Sequence, residues 1–339
     1  MTRTLALVES PAQLLGLLEW ALGERDGAPD PARCEVAVLL PRDPVSRRQL
    51  GGMAELARAE GIAVGLYDIR GVPAGFPRAV ASLVPKLAGA GRLVIGDPFS
   101  GIIQRLLWLS RARGLVVVDD GTATLELSRH LLAGRPPSRR HRSGSAPAAT
   151  AGAARVARAA RAVRRTTPGH GRRLEVFSCM TAGLGLPPGG VASLNSYSWT
   201  RQRYGPPQVR PGVDLIGTSL AETGLVDPER YVREIVRLAD ELNAERYFAH
   251  RHEDPDKLRL IAEYAELDVV RPELPLEIEL LRGPVAETLV GLPSTVLHSL
   301  PLALAGTGVE ITVCADVLDR LGPNVSPRTT ALLEEVIHI

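Results

Sequence analysis

Short apolar runs recur along the first 120 residues, each closed by a polar or acidic residue. "TLALVE" (4–9), "EVAVLL" (35–40), "IAVGLY" (62–67), "RLVIGD" (92–97) and "GLVVVDD" (114–120) each predict a strand. The segments between them are of helix length, and predict helices from residue 11 onward and near 46–60, 76–88 and 101–112. Ser10 followed by Pro11 makes a helix start, with a capping hydroxyl before proline at the first helical position. The strands are apolar throughout rather than alternating, which predicts a parallel sheet covered on both faces. Ligands of such sheets sit outside the carboxyl ends of the strands. Glu9, Asp97, Asp119 and Asp120 all fall there.

The pattern resumes near residue 174. "LEVFSC" (174–179), "VDLIGT" (213–218), "ERYFAH" (245–250), "LDVVR" (267–271), "ETLVGL" (287–292) and "VEITVCA" (309–315) predict strands. Helices are predicted near 227–243, 255–265, 275–281 and 294–305. The chain therefore divides into two α/β units, 1–173 and 174–339. Between their periodic parts, residues 127–174 contain no Asp or Glu and many Arg and Ala. This reads as an exposed, flexible insertion over 130–173, with a basic helix in "ATAGAARVARAARAVRR". A cationic surface of this kind suits an anionic membrane or an anionic acceptor. Aromatic residues are scarce there, which argues against a nucleic-acid platform.

Composition narrows the picture further. The 339-residue chain has a formal net charge of +2, so bulk charge does not make it a polyanion binder. Lys86 and Lys257 are the only lysines. Cys34, Cys179 and Cys314 are far apart, odd in number and without metal-ligand spacing, which fits a reducing cytoplasm. Glu9, Pro11 and Glu19 interrupt the apolar start, and no run reaches the roughly 20 apolar residues of a membrane span. The expectation is a cytoplasmic protein, peripheral to a membrane at most.

Several groups carry candidate chemistry. Asp119, Asp120 and Gly121 end a buried strand; successive side chains point to opposite faces, which separates the two charges. The pair reads as a general base facing a cleft, as ligands of a divalent cation, or as a plain strand-to-helix corner. His250 and Arg251 end another strand, where they suit a phosphate, with His250 as proton donor to a leaving group. An isolated loop histidine is the plain alternative. Ser294 and Thr295 open a helix whose free N–H groups and partial positive charge suit a phosphate; a simple helix cap is the alternative. Glu277 begins a short helix and could hold ribose hydroxyls or merely complement the helix dipole. His252 and Glu253 read as exposed residues of a helix start, and His298 as a packed helix residue.

In order, "VESPAQLLGLLE", "GDPFSGIIQ", "VVVDDGTATLEL", "YFAHRHED", "LPLEIEL" and "GLPSTVLHSLP" resemble the bacterial polysialyltransferase-like glycosyltransferases. The lipooligosaccharide sialyltransferases are more distantly similar. The resemblance spans most of the chain outside the Arg/Ala-rich middle. It implies a GT-B-like α/β fold of two Rossmann-like domains facing across a cleft. It also implies CMP-sialic acid as donor, inversion at the anomeric carbon, no cofactor and no essential metal. The family's acidic-acidic-Gly motif matches Asp119, Asp120 and Gly121, with the first acid as general base. Its His-Pro motif matches His250, with Arg251 in place of proline. Its serine pair matches Ser294 and Thr295 at the donor phosphate, and Glu277 matches the glutamate on the CMP ribose. Ser10, Gln13, Asp97 and Gln104 are the corresponding acceptor-side candidates, with a glycan hydroxyl as acceptor. Other CMP-activated acid sugars, such as Kdn or Kdo, would use the same nucleotide handle. A non-catalytic protein that binds an anionic glycan is the alternative from another class.

Overall fold

The computed structural model describes residues 2–119, 121–135, 168–169, 171–181 and 184–314. Asp120 and most of the basic segment expected over 130–173 lie outside the described residues. The described residues form two compact units, divided between Asn195 and Ser196.

The first unit is built on a seven-stranded parallel sheet. Its strands are β1 (Thr4–Val8), β2 (Cys34–Leu39), β3 (Ala63–Tyr67), β4 (Arg92–Ile95), β5 (Gly114–Val118), β6 (Arg173–Ser178) and β7 (Gly190–Leu194). They lie in the order β3-β2-β1-β4-β5-β6-β7. Helices α1 (Pro11–Leu22), α2 (Pro44–Ala59), α3 (Gly75–Gly89), α4 (Gly101–Leu109) and α5 (Thr122–Leu132) connect the strands. Leu5, Leu7, Leu39, Leu93, Ile95 and Val117 form the core on one face of the sheet with Leu83, Leu87 and Ile103. The alternate residues Ala6, Val8, Val38, Val94 and Val118 are equally buried. Both faces are therefore dry, and each fully buried Leu or Val contributes about 1.5–3 kcal/mol. Gly16 lets α1 approach β5 closely, since a Cβ there would already touch Val118 at 3.4 Å.

The second unit carries a five-stranded parallel sheet. Its strands are β8 (Val209–Ile216), β9 (Ala244–Phe248), β10 (Asp268–Val270), β11 (Val285–Gly291) and β12 (Glu310–Val313), in the order β10-β9-β8-β11-β12. Helices α6 (Ser198–Tyr204), α7 (Pro228–Leu242), α8 (Pro255–Ala265), α9 (Leu276–Arg282) and α10 (Val296–Ala303) complete it. One local device starts four of the described helices. Ser10, Asp43, Asp227 and Asp254 each accept a backbone N–H of the first turn, and proline follows directly.

Two differences from the sequence reading concern boundaries. The strand expected at 174–179 to open the second unit pairs with β5 instead, and β7 continues that sheet. The first unit thus extends past residue 173 to Asn195. The strand "GVASL" and the helix α6 were not predicted. β7 is a partly exposed edge strand of small residues and gives no apolar run. Among the described residues, no helix is long and apolar enough to cross a membrane.

Candidate functional site

Both sheets reverse their strand order once, at β1/β4 in the first unit and at β8/β11 in the second. Such reversal points splay the following loops apart and leave a crevice beyond the strand ends. Ser10, Gln13, Asp97 and Gln104 follow the strands of the first point, and His250, Arg251, Ser294 and Thr295 flank the second.

In the first unit, the loops after β1 and β4 enclose a cleft of about 290 Å³. Glu9, Gln13, Arg70, Asp97, Phe99 and Ser100 are among its lining residues. Gln13 is buried and accepts the Glu9 backbone N–H at 2.8 Å through Oε1. Arg70 pairs with Glu9 and also donates to the carbonyls of Leu39 and Leu40, each at 3.3 Å. Asp97 Oδ1 accepts the Phe99 backbone N–H at 2.8 Å. Gln13 and Asp97 are therefore brought together. Ser10 and Gln104 do not line the cleft: Ser10 caps α1, and Gln104 donates to the Pro98 carbonyl at 3.1 Å. Arg70 gave no signal in sequence, because it sits in a loop after β3 that had no motif.

Asp119 lies one strand further along, at the end of β5. It is only 9% exposed. Its Oδ1 accepts the Gly121 backbone N–H at 3.2 Å and the Thr124 hydroxyl at 2.8 Å. Its Oδ2 accepts the Ser178 hydroxyl at 2.9 Å, the Cys179 backbone N–H at 3.2 Å and the Cys179 thiol at 3.1 Å. A carboxylate offers about four lone-pair sites, so five donors saturate it. Asp119 ties β5 to α5 and to β6, which fits the strand-to-helix corner offered as one reading of the pair. Gly121 completes the corner at φ 61°, a backbone conformation that favours glycine.

In the second unit, His250 follows β9, and Ser294 and Thr295 follow β11, on either side of the end of β8. His250 Nδ1 accepts the His252 backbone N–H at 3.2 Å, which leaves the ring proton on Nε2. Burial, and then the nearby Arg251 and His252, lower the His250 pKa to about 3. The fold by itself therefore favours the neutral imidazole, with Nε2–H as its hydrogen-bond donor. Arg251 donates to the His252 ring at 3.3 Å. Thr295 is the N-cap of α10, yet its side chain makes no capping bond. Glu277, on α9, is buried and accepts the Ser299 hydroxyl of α10 at 2.6 Å.

Glu253 is the main correction here. It was expected at an exposed helix start, but it is buried. Its Oε2 accepts the His250 backbone N–H at 2.6 Å, and its Oε1 accepts the Tyr247 hydroxyl at 2.6 Å. Tyr247 in turn meets the Tyr231 hydroxyl at 2.8 Å, which accepts the Thr218 backbone N–H at 2.9 Å. Lys257 forms ion pairs with Glu253 at 2.8 Å and Glu222 at 2.9 Å. Burial raises the Glu253 pKa, against the opposing charge of Lys257. Burial pushes both tyrosines well above the ordinary phenol range. The network fixes the loops after β8 and β9 to each other. A Cβ on Gly217 would lie 2.3 Å from Glu253 Oε2, so only glycine fits between them.

No protein-family model matches the chain, and no curated protein matches it. Solved structures do. An α/β-galactoside α-2,3-sialyltransferase from the luminous marine bacterium Photobacterium phosphoreum matches over 99% of this chain and 96% of its own, at TM-score 0.51 and 10% identity. The Escherichia coli heptosyltransferase WaaC with ADP-2-deoxy-2-fluoro heptose matches over 99% of both chains, at TM-score 0.42 and 13% identity. Acinetobacter baumannii MurG matches over 99% of this chain and 90% of its own, at TM-score 0.36 and 12% identity. The fold is α/β of the GT-B type, with two Rossmann-like units.

Proposed function

We propose that this protein is a glycosyltransferase that moves sialic acid, or a related nonulosonic acid, from a CMP-sugar to a glycan hydroxyl. The observation that carries the reading is the group at the second reversal point: His250 with its proton on Nε2, and the Thr295 hydroxyl at a helix start, which makes no capping bond. Such a group stabilises negative charge without supplying a proton. The order of the family-like motifs and the GT-B fold support the same reading.

In the proposed reaction, the acceptor oxygen forms a bond to the anomeric carbon while the bond from that carbon to the CMP phosphate breaks. The electron pair leaves with CMP. His250 Nε2–H, the Ser294 and Thr295 hydroxyls, and Arg251 meet the charge that develops on the phosphate. Glu277 faces the CMP ribose. The acceptor hydroxyl's proton passes to Asp119, where the incoming hydroxyl displaces the Cys179 thiol, the weakest of the five donors. Asp120 is the next residue in the sequence, and Gly121 keeps the corner open. No metal takes part.

The test is CMP release from a panel of CMP-sugars, with and without a glycan acceptor and in the presence of EDTA. Release is expected with at least one CMP-sugar and should survive EDTA. The Ser294→Ala/Thr295→Val variant and His250→Ala should each lower it by roughly 10²–10³-fold, the size of a lost oxyanion donor. No release from any CMP-sugar would exclude the transferase reading and favour a glycan-binding protein.

A further inference from the structure

We infer that Glu253 is a positioning residue of the candidate donor site: it fixes the main chain of His250 and, through it, the direction of the His250 Nε2–H. The inference rests on the transferase reading for the word donor, but the clamp stands on its own geometry. Glu253 holds both polar main-chain groups of His250. Its backbone N–H donates to the His250 carbonyl at 3.0 Å, and its Oε2 accepts the His250 backbone N–H at 2.6 Å. One residue thus closes the turn 250–253 twice. Inside the turn, the His252 backbone N–H donates to His250 Nδ1 at 3.2 Å. Main chain and ring are therefore set together. A turn that shifts breaks the bond that keeps the ring proton on Nε2.

The clamp calls for a carboxylate, because only donors meet it. Glu253 Oε1 takes the Tyr247 hydroxyl at 2.6 Å and lies 2.8 Å from the Lys257 ammonium. The phenols hand their protons one way. The Thr218 backbone N–H donates to the Tyr231 oxygen at 2.9 Å, which directs the Tyr231 proton to the Tyr247 oxygen at 2.8 Å, and the Tyr247 proton to Glu253. A row of donors of this kind ends on a group that accepts and does not donate, which an ionised carboxylate is. Space is closed as well, since a Cβ on Gly217, the residue after β8, would lie 2.3 Å from Oε2. The carboxylate is wedged between the loops that follow β8 and β9.

Stability alone gives no reason for this arrangement. A buried ion pair often does no better than apolar side chains of the same volume. What Glu253 does, and an apolar side chain cannot, is to hold a main-chain N–H, and that N–H belongs to His250.

The test uses the full chain with two substitutions. Glu253→Met keeps the length of the side chain and removes both acceptor oxygens, and Glu253→Gln keeps one. Lys257 retains Glu222 at 2.9 Å in either case, so neither change strands its charge. Long-range ¹H–¹⁵N NMR reads the His250 ring, assigned by the signals lost in His250→Ala. The Nε2–H form should dominate in the wild type and in Glu253→Gln, and both tautomers should be present in Glu253→Met. CMP release supplies kcat and KM, with each substitution also placed in the His250→Ala background. Glu253→Met should lower kcat by about ten- to a hundredfold with KM within about threefold, and Glu253→Gln should recover most of the loss. In the His250→Ala background the same change should alter kcat by less than about twofold, because the group it positions is gone. An equal loss in both backgrounds, or a His250 ring unaltered in Glu253→Met, would overturn the inference. Should circular dichroism show Glu253→Met unfolded, Tyr247→Phe releases the other end of the carboxylate and is read in the same way: smaller changes in the same direction support the clamp, and none overturns it. If the wild type releases no CMP, the transferase reading fails, while the NMR comparison still decides whether Glu253 sets His250.

Discussion

Replacing Asp119 by alanine removes the acceptor for five donors at once. The Thr124 and Ser178 hydroxyls and the Cys179 thiol can rotate to new partners. The backbone N–H groups of Gly121 and Cys179 cannot. Both are half-buried, and a fully buried donor left unpaired costs about 1–3 kcal/mol, so the two together should cost at most roughly 2–6 kcal/mol. In a unit of this size that lowers the melting midpoint by on the order of 10 °C. Asp119→Asn should cost about half as much, since Oδ1 still serves Gly121 while the new amide opposes the Cys179 N–H. Melting can be followed through Trp20, which is buried in the first unit and bonded to Glu175. Activity must then be compared per folded molecule, at a temperature where Asp119→Asn is fully native. A base lost from the reaction lowers the rate by about 10²–10⁴-fold even then. A residue that only braces the corner leaves the rate within a few-fold. If Asp119→Ala melts within 2–3 °C of the wild type, the bracing argument built on those two N–H groups is wrong.

Two further expectations come from the second unit. His250 titrates near pH 3 in the fold but near the ordinary 6.5 when unfolded. The unfolded chain therefore binds more protons between those values, and stability should fall as pH drops from 6.5 towards 3. Urea midpoints at pH 7 and pH 4 should separate in the wild type more than in His250→Asn, and an equal separation would refute the shift. Gly217→Ala places a Cβ 2.3 Å from Glu253 Oε2 and 2.4 Å from the Tyr247 hydroxyl. Overpacking of this kind costs about 1–3 kcal/mol by urea unfolding, and a variant as stable as the wild type would show that the network yields.

The layered α/β plan was legible because its strands are mostly unbroken apolar runs, separated by segments of helix length, the first of which opens on Ser10–Pro11. Both signals are local. What escaped is non-local. β7 is an edge strand without an apolar run, so the first sheet looked two strands shorter once its β6 was assigned to the second unit. The motif at Asp119 was visible, but its partners Ser178 and Cys179 lie about 60 residues away and reach it only through the pairing of β5 with β6. Glu253 stands in a polar stretch, "HRHED", and nothing beside it in sequence announces that Tyr247, Tyr231 and Lys257 enclose it. The candidate donor residues His250, Ser294 and Thr295 were found because they sit at strand ends, the one place in such a sheet where position along the chain already implies a site.

Lys257 has a consequence for handling the molecule. Its side chain is only 4% exposed, whereas that of Lys86 is 29% exposed. These are the only two lysines in the chain. An amine-reactive label should therefore mark Lys86 readily, and Lys257 only in molecules whose second unit has opened. The ratio of the two labelled peptides is a built-in clock for that opening, with its own internal standard and no engineered probe.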